Sequence, residues 1–481
     1  MQRFRFFTTR PFLCLGMLAL VPLACSTSNN ASSPTAAAPA SVTCAAAANF
    51  QGSGPAPVPT AIDSTCAAIP YTPGALNSNG QQKADVFSWL SFVALNWPAD
   101  PTTCSPNPKS SILTDPNNPT WLTYLSDDAV YNSGQPAPWC GGTSGTNGVK
   151  ARLLASEPSY SPAVKKILAD HPDVHLVLFH DSKSHDLVST IRLLGTTSNG
   201  KLNGILQSTN LPLVDQNGRF VRFSIALNQD EYNYIVANKL YTVPGQKATP
   251  SISFPMGSSP TSVGALEVKA AWKVLGAGDN PARFFTQQAI VFNNAAGAPS
   301  PGTNPVTVGL VGLHIAHKAQ GQTTWAWSTF EQVDNDTKSF YNPNCTPAGS
   351  ASCTPNTSTA TATSNELSST GKPLNAPVQV VPHLQPTNPG LNSSFQGLLA
   401  GTPFQYYQLI GTQWSTGAID TAPQFLGASV QETFVPFNAQ GPYSCTACHN
   451  FATAIPGGQA SDMSFLVNAP LLKSAHAVHV K

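Results

Sequence analysis

Two periods of hydrophobic residues divide the chain into a helical and a strand-rich part. Over residues 83–97 apolar side chains recur every three or four positions, which predicts a core helix that begins at Lys83 and ends before Pro98. From about residue 170 to 335, short apolar runs rich in β-branched and aromatic residues predict strands instead. The clearest are 173–180, 265–275, 289–292 and 306–317.

The run 306–317 is apolar on both faces, so we expect it to be a central strand. The whole pattern predicts an α+β fold. Its β-rich body would have sandwich-like antiparallel or mixed sheets, preceded by the core helix and followed by a short C-terminal segment.

The first 24 residues have the pattern of an export signal. Three arginines in the first ten residues precede an apolar stretch that is too short to span a bilayer. The following Val21-Pro22-Leu23-Ala24-Cys25 resembles a bacterial lipobox, although Pro22 stands where Leu is usual. We therefore expect lipidation of Cys25 and a periplasmic or outer-membrane-anchored lipoprotein, with a soluble periplasmic protein as the alternative.

Composition predicts the domain organisation. After the signal at 1–24, residues 25–80 are expected to form a lipid-anchored flexible tether, because 26–60 are rich in Ala, Ser, Pro, Thr and Asn. A β-rich main domain would cover 81–440, and 441–481 would be the C-terminal segment. Charged residues are only 10% of the chain and the net charge is +1, which argues against a nucleic-acid partner.

The C-terminal segment contains the motif Cys445-Thr446-Ala447-Cys448-His449. C-x-x-C-H is the spacing at which two thiols bond covalently to haem vinyl groups, and the following histidine binds the iron. The motif predicts one haem c, with Cys445 and Cys448 as anchors and His449 as proximal ligand. The alternatives are a disulfide, which leaves His449 unexplained, and a zinc half-site, for which the chain has no second C-x-x-C.

The remaining cysteines agree with an oxidising compartment. Of the 10 cysteines, those left after the signal, the lipobox and the haem motif are an even set, which suits disulfides. Sequence cannot choose among their pairings. Proximity favours Cys44–Cys66, Cys104–Cys140 and Cys345–Cys353.

Residues 445–481 are fewer than about 40, the length below which chains rarely fold alone. A haem here would therefore lie against the main domain, which would provide much of its pocket. The candidates for the sixth iron ligand are Met463, His314 or His317, and His476 or His479 in the tail, and an open sixth site is the remaining alternative. Strand alternation puts His314 and His317 on opposite faces.

Trp325 and Trp327 have two readings as well. They could line a haem pocket or admit electrons, although an aromatic core is the commoner role.

Several segments resemble a family of large exported proteobacterial proteins, the cytochrome c family proteins. The resemblance is carried by 87–98, 268–272, 312–318 and 325–335, and by the late C-x-x-C-H with Ser464-Phe465-Leu466 after it. It spans roughly residues 80–481 and implies haem and electron transfer, without a substrate.

We therefore expect an exported mono-haem c-type cytochrome that exchanges single electrons with a redox partner protein of the cell envelope. Two alternatives stay open. One is a haem-dependent oxidoreductase, peroxidase-like or O₂-using, with an open sixth site. The other is a binding module in which the haem senses redox state.

Overall fold

The computed structural model describes residues 41–73, 80–131, 135–141, 162–174, 176–178, 221–293, 300–301, 304–322, 324–335, 390–414, 445–450, 452–454 and 458–468. These residues belong to one unit, 41–481.

The α-helices of these residues differ greatly in length, and none of them is long and apolar enough to cross a bilayer. They are α1 (Cys44–Ala48), α2 (Gly80–Leu95), α3 (Asp127–Val130), α4 (Pro162–Asp170), α5 (Gln229–Ala237), α6 (Val243–Ala248), α7 (Leu391–Leu398) and α8 (Cys445–His449). Short 3₁₀ helices lie at Ser64–Ala67, Thr120–Thr123, Trp139–Gly141, Pro281–Arg283, Pro403–Tyr406 and Leu466–Asn468.

The strands of the described residues form one nine-stranded sheet. They are β1 (Leu125–Ser126), β2 (Leu176–Leu178), β3 (Arg222–Leu227), β4 (Leu266–Val274), β5 (Thr286–Asn293), β6 (Ser300–Pro301), β7 (Val306–His317), β8 (Ala326–Gln332) and β9 (Tyr407–Gln413). The pairings are antiparallel except for the parallel pair of β2 with β5.

Strand β7 is the centre of this sheet, as its apolar faces predict. Strand β4 pairs with it from 308 to 317 on one side. On the other side, β5 pairs with residues 306–309 and β8 with residues 312–317. Because β7 is long enough to serve both neighbours, the sheet divides there into a β8–β9 branch and a β5–β2 branch.

Helix α2 covers one face of the sheet, and its side chains are buried around almost the whole helix. Such burial explains why the apolar residues of the helix are not confined to one face. Its buried Ser88 hydroxyl meets the hydroxyls of Ser328 on β8 and Thr412 on β9, each at 2.7 Å. The sequence prediction of a core helix is confirmed, and the helix ends at Leu95, three residues before Pro98.

The α+β, sheet-rich class is confirmed, but the prediction of a sandwich-like arrangement was wrong for the described residues. Their strands belong to one sheet, and helices and loops cover its faces in place of a second sheet. The sequence pattern could not distinguish the two arrangements, since both need strands with a buried face.

The predicted tether was wrong over residues 41–73, which fold against the main domain. Cys44, Ala47, Ala56 and Ala67 are buried in the same cluster as α2. Small residues give a flexible-linker composition, yet alanine also packs closely where the backbone approaches a helix. For residues 25–40 and 74–79, which lie outside the described ranges, the tether stays a prediction.

Two of the predicted cysteine pairs lie at bonding distance. Cys44 and Cys66 have Cα atoms 4.9 Å apart, and Cys104 and Cys140 have Cα atoms 5.7 Å apart. Cys345 and Cys353, like Cys25, lie outside the described residues.

Candidate functional site

The C-x-x-C-H motif forms the short helix α8, which lies on the sheet face opposite α2. Cys445 is buried in an apolar cluster with Trp327 of β8 and Leu227 of β3. Its main-chain N–H donates to the Gln413 side-chain oxygen of β9 at 2.5 Å. One helical turn brings positions 445 and 448 to the same side of α8, which is the arrangement that two thioether bonds need.

Helix α8 packs near a row of directly paired residues that runs across five strands of the sheet. Leu227, Glu267, Ala316, Trp327 and Gln413 are successive partners across β3, β4, β7, β8 and β9. Directly paired residues point to the same face of a sheet. The described residues of the C-terminal segment therefore pack on this face of the sheet.

His449 contacts two aromatic rings and forms a hydrogen bond through Nδ1. Its ring centroid is 4.1 Å from that of Trp327 and 4.8 Å from that of Phe465. Its Nδ1 is 2.7 Å from the carbonyl oxygen of Met463. A carbonyl only accepts, so Nδ1 must carry the proton, and Nε2 of the neutral ring then bears the lone pair that can bind a metal.

The Met463 carbonyl reaches His449 because the chain turns back sharply. Asp462 and Met463 both have left-handed backbones, with φ of 52° and 72°. Few residues other than glycine adopt this conformation, and it concentrates at functional sites. An antiparallel bridge between Thr453 and Ala460 closes the loop before the turn. This turn thus places the Met463 carbonyl within hydrogen-bonding distance of His449 Nδ1.

The side chains of Asp462 and Ser464 hold this turn in place. The Asp462 carboxylate pairs with the buried Lys318 ammonium and accepts the Phe254 N–H at 2.7 Å. The Ser464 hydroxyl donates to the Glu267 carboxylate at 2.5 Å. Helix α6 contacts the residues after the turn, since the Gln246 side-chain amide donates to the Val467 carbonyl at 2.6 Å.

Trp325 and Trp327 lie in the apolar cluster beside His449, with ring centroids 6.4 Å apart. Both are buried, and neither indole N–H has a hydrogen-bond partner among the described residues. Folded proteins pair nearly all buried donors. These two N–H groups therefore call for acceptors that the described residues do not provide.

The predicted sixth ligands are placed very differently. His314 is half-buried and lies on the same sheet face as Trp327, one step along the strands, opposite Lys269 and Thr329. His317 faces the other way: it stacks on Phe87 of α2, with centroids 5.6 Å apart. The opposite faces predicted for the two histidines are confirmed.

His317 has the features of a buried structural histidine. Its Nε2 is 2.7 Å from the Val263 carbonyl oxygen, and burial lowers the pKa of its imidazole to about 4. Met463 is buried beside Cys445, with its carbonyl committed to His449. His476 and His479 lie outside the described residues.

The arrangement fits a c-type haem in its donor chemistry. Histidines that bind metals almost always donate their other ring N–H to a carbonyl or carboxylate, as His449 does. Haem also carries carboxylate groups, which are acceptors of the kind that the two indole N–H groups lack. Cys445, Cys448 and His449 would hold the group, and Trp327 and Phe465 would flank its proximal ligand.

Comparison of the chain with protein-family models, curated proteins and solved structures found no match. The described residues contain no group of three or more His, Cys, Asp or Glu side chains that could hold a metal ion.

Sequence reasoning missed Glu231, Glu267 and Asp462, the carboxyl groups next to this turn. Asn228 and Glu231 have the spacing of a helix-capping pair, which usually lies in solvent. Glu267 alternates with apolar residues in β4, which indicates a solvent-facing position. Nothing in these patterns shows that a C-terminal segment covers both.

Proposed function

We propose that the protein is an exported mono-haem c-type cytochrome that transfers single electrons in the cell envelope. The observation that carries the proposal is the orientation of His449. Its Nδ1–H donates to the Met463 carbonyl within a C-x-x-C-H helix, so the lone pair of the ring is on Nε2, the nitrogen that would bind the iron.

When bound, the haem would supply one-electron chemistry through its iron. The residues of the chain would anchor and orient it. Cys445 and Cys448 would form the thioether bonds, and His449 would bind the iron. The Met463 carbonyl would keep the imidazole in one tautomer and raise its basicity. The apolar cluster around Cys445 would exclude water from this side of the group.

The identity of the sixth ligand stays a prediction, with Met463 and His314 as the candidates. The Met463 main chain lies against Nδ1 of His449, on the side of the ring away from Nε2. His314 comes from a different element and shares the sheet face of Trp327, so we propose His314 before Met463.

The compartment follows from the sequence and belongs to the same proposal. The signal-like residues 1–24 would direct export, and Cys25 would be lipidated, so that the protein is anchored in the membrane and meets its redox partner protein there. The disulfide-bonded pairs Cys44–Cys66 and Cys104–Cys140 support an oxidising compartment.

The test is covalent haem staining after denaturing electrophoresis, on protein exported from a host that attaches haem c. We expect staining of the natural chain and none of the Cys445→Ala/Cys448→Ala variant. Cys104→Ala/Cys140→Ala is the matched control, because it also removes two cysteines, and it should stain. Staining of the first variant, or none of the natural chain, would refute attachment at this site.

Carbon monoxide then distinguishes a carrier from an enzyme. A reduced spectrum that carbon monoxide leaves unchanged indicates two protein ligands and a carrier. A prompt spectral shift indicates an open or displaceable sixth site. That result would favour the haem-dependent oxidoreductase over the electron carrier.

A further inference from the structure

Two carboxyl groups lie side by side beneath the turn that orients His449. Glu231 is in the first turn of α5 and is completely buried. Glu267 is half-buried on β4, in the row of residues under α8. Burial of acidic side chains is expensive unless they are paired or hydrogen-bonded.

The two carboxyl groups contact each other. A carboxylate only accepts, so this contact is a hydrogen bond when one of the two groups carries a proton. Within the described residues, Glu267 also accepts the Ser464 hydroxyl. Lys269 attracts Glu267, and Asp462, whose negative charge acts on Glu231, pairs with Lys318. Asp230, the residue before Glu231, accepts the Gly264 N–H at 2.8 Å.

These surroundings favour a protonated carboxyl group. Burial raises the pKa of Glu231 well above its ordinary value, and the negative charges of Glu267 and Asp462 raise it further. Burial also raises the pKa of Glu267, against the opposing effect of the Ser464 hydrogen bond. Two adjacent carboxyl groups cannot readily both ionise, so the pair retains a proton that solvated glutamates would lose.

The pair is connected to the proximal side of the proposed haem by short steps. Ser464, which bonds Glu267, directly follows Met463, whose carbonyl binds His449. Through the sheet, Glu267 pairs with Ala316, and Ala316 pairs with Trp327, which contacts the His449 ring. Adjacent strands are about 4.8 Å apart. A charge at Glu267 would therefore act on the His449 ring, and on a haem bound there, through sheet residues that are largely buried and screen it less than water does.

We propose that Glu231 and Glu267 form a proton-binding site coupled to the redox state of the haem. The inference rests on the proposed function. When one electron from a one-electron donor reduced the bound haem, one proton from the solvent would protonate a carboxylate of the pair. The net charge of this part of the protein then does not change. Carboxyl pairs with displaced pKa values are typical of functional sites.

The experiment is spectroelectrochemical titration of the full-length haem-loaded protein between about pH 4 and about pH 9, the range over which displaced carboxyl groups titrate. We expect the midpoint potential to fall with rising pH, with a slope that approaches about 59 mV per tenfold change in proton concentration. The Glu231→Gln/Glu267→Gln variant preserves shape and should have a flat profile over the same range. Asp334→Asn, which removes a carboxylate paired with Arg283, is the control and should keep the slope.

A second measurement does not depend on folding of the double variant. Infrared difference spectra of the natural protein, reduced minus oxidised, should contain a carboxylic acid band that shifts in D₂O. Each single variant, Glu231→Gln and Glu267→Gln, should alter that band.

A pH-independent potential in the haem-loaded natural protein, a slope that persists in the double variant, or the absence of the infrared band would overturn the inference alone. Absence of covalent haem would overturn the proposed function, and this inference with it.

Discussion

The ion pair of Asp462 with Lys318 gives the sharpest prediction about the turn that orients His449. Lys318 is buried and Asp462 is only 18% exposed in its side chain. Removal of one member of a buried pair leaves an uncompensated charge, which typically costs about 3 kcal/mol or more. Asp462→Asn keeps the side-chain oxygen that accepts the Phe254 N–H. Asparagine also tolerates the left-handed backbone at φ 52°. We therefore expect this variant to lose about 3 kcal/mol of unfolding free energy through the charge alone.

The assay is reversible urea unfolding of single and double variants in a double-mutant cycle. Lys318→Met should also destabilise the protein, because it leaves Asp462 without its cation. The double variant Lys318→Met/Asp462→Asn has no unpaired charge at this position, so it should be more stable than the sum of the single losses predicts, by about 2 kcal/mol or more. Additivity within about 0.5 kcal/mol would refute the reasoning, because it would mean that the two groups do not interact.

Three further predictions concern stability. The pKa of Glu231 is raised in the folded state, so the free energy of unfolding should fall as pH rises above the ordinary glutamate pKa, by up to about 1.4 kcal/mol per pH unit. Glu231→Gln should flatten this decline in urea midpoints, and an unchanged slope would contradict the burial argument. Burial lowers the pKa of His317 to about 4, so the folded state binds this proton less readily than the unfolded chain does. The free energy of unfolding should therefore fall by about 3 kcal/mol as pH decreases from 6.5 to 4. His317→Gln should remove this loss at acid pH, and a variant that keeps it would contradict the assignment. Cys44→Ala/Cys66→Ala opens a loop of sequence separation 22 and should cost about 3 kcal/mol by thermal unfolding, whereas a change below about 1 kcal/mol would show that residues 41–73 do not need the bond.

The long elements could be predicted because their hydrophobic periods are unambiguous. The 306–317 run matches β7 at both ends, and its two apolar faces follow from neighbours on both sides. Helix α2 was predicted because apolar residues at helical spacing extend over four turns. In both cases local pattern and tertiary burial agree.

The site was only partly predictable, since its motif is local and its surroundings are not. C-x-x-C-H directly identifies Cys445, Cys448 and His449 as the candidate residues. The left-handed backbone at Asp462 and Met463 has no sequence signal of the glycine kind. Glu231 is buried and feels the charge of Asp462, more than two hundred residues later in the chain, and no local period reports such proximity.

Residues 41–73 were mispredicted for a similar reason. Their Ala-, Ser- and Pro-rich composition is typical of a linker, but Cys44 and Cys66 tie them together and their alanines pack on α2. Composition describes what a segment can bury, and it does not show whether a partner is present.

The central claim is that a haem is bonded to Cys445 and Cys448 and bound by His449. Mass spectrometry of peptides from the exported protein tests it most directly. We predict that the peptide containing residues 445–449 carries the added mass of one haem, linked through both thiols, and that no other peptide does. An unmodified peptide, with thiols that are reduced or joined to each other in a disulfide, would contradict the account.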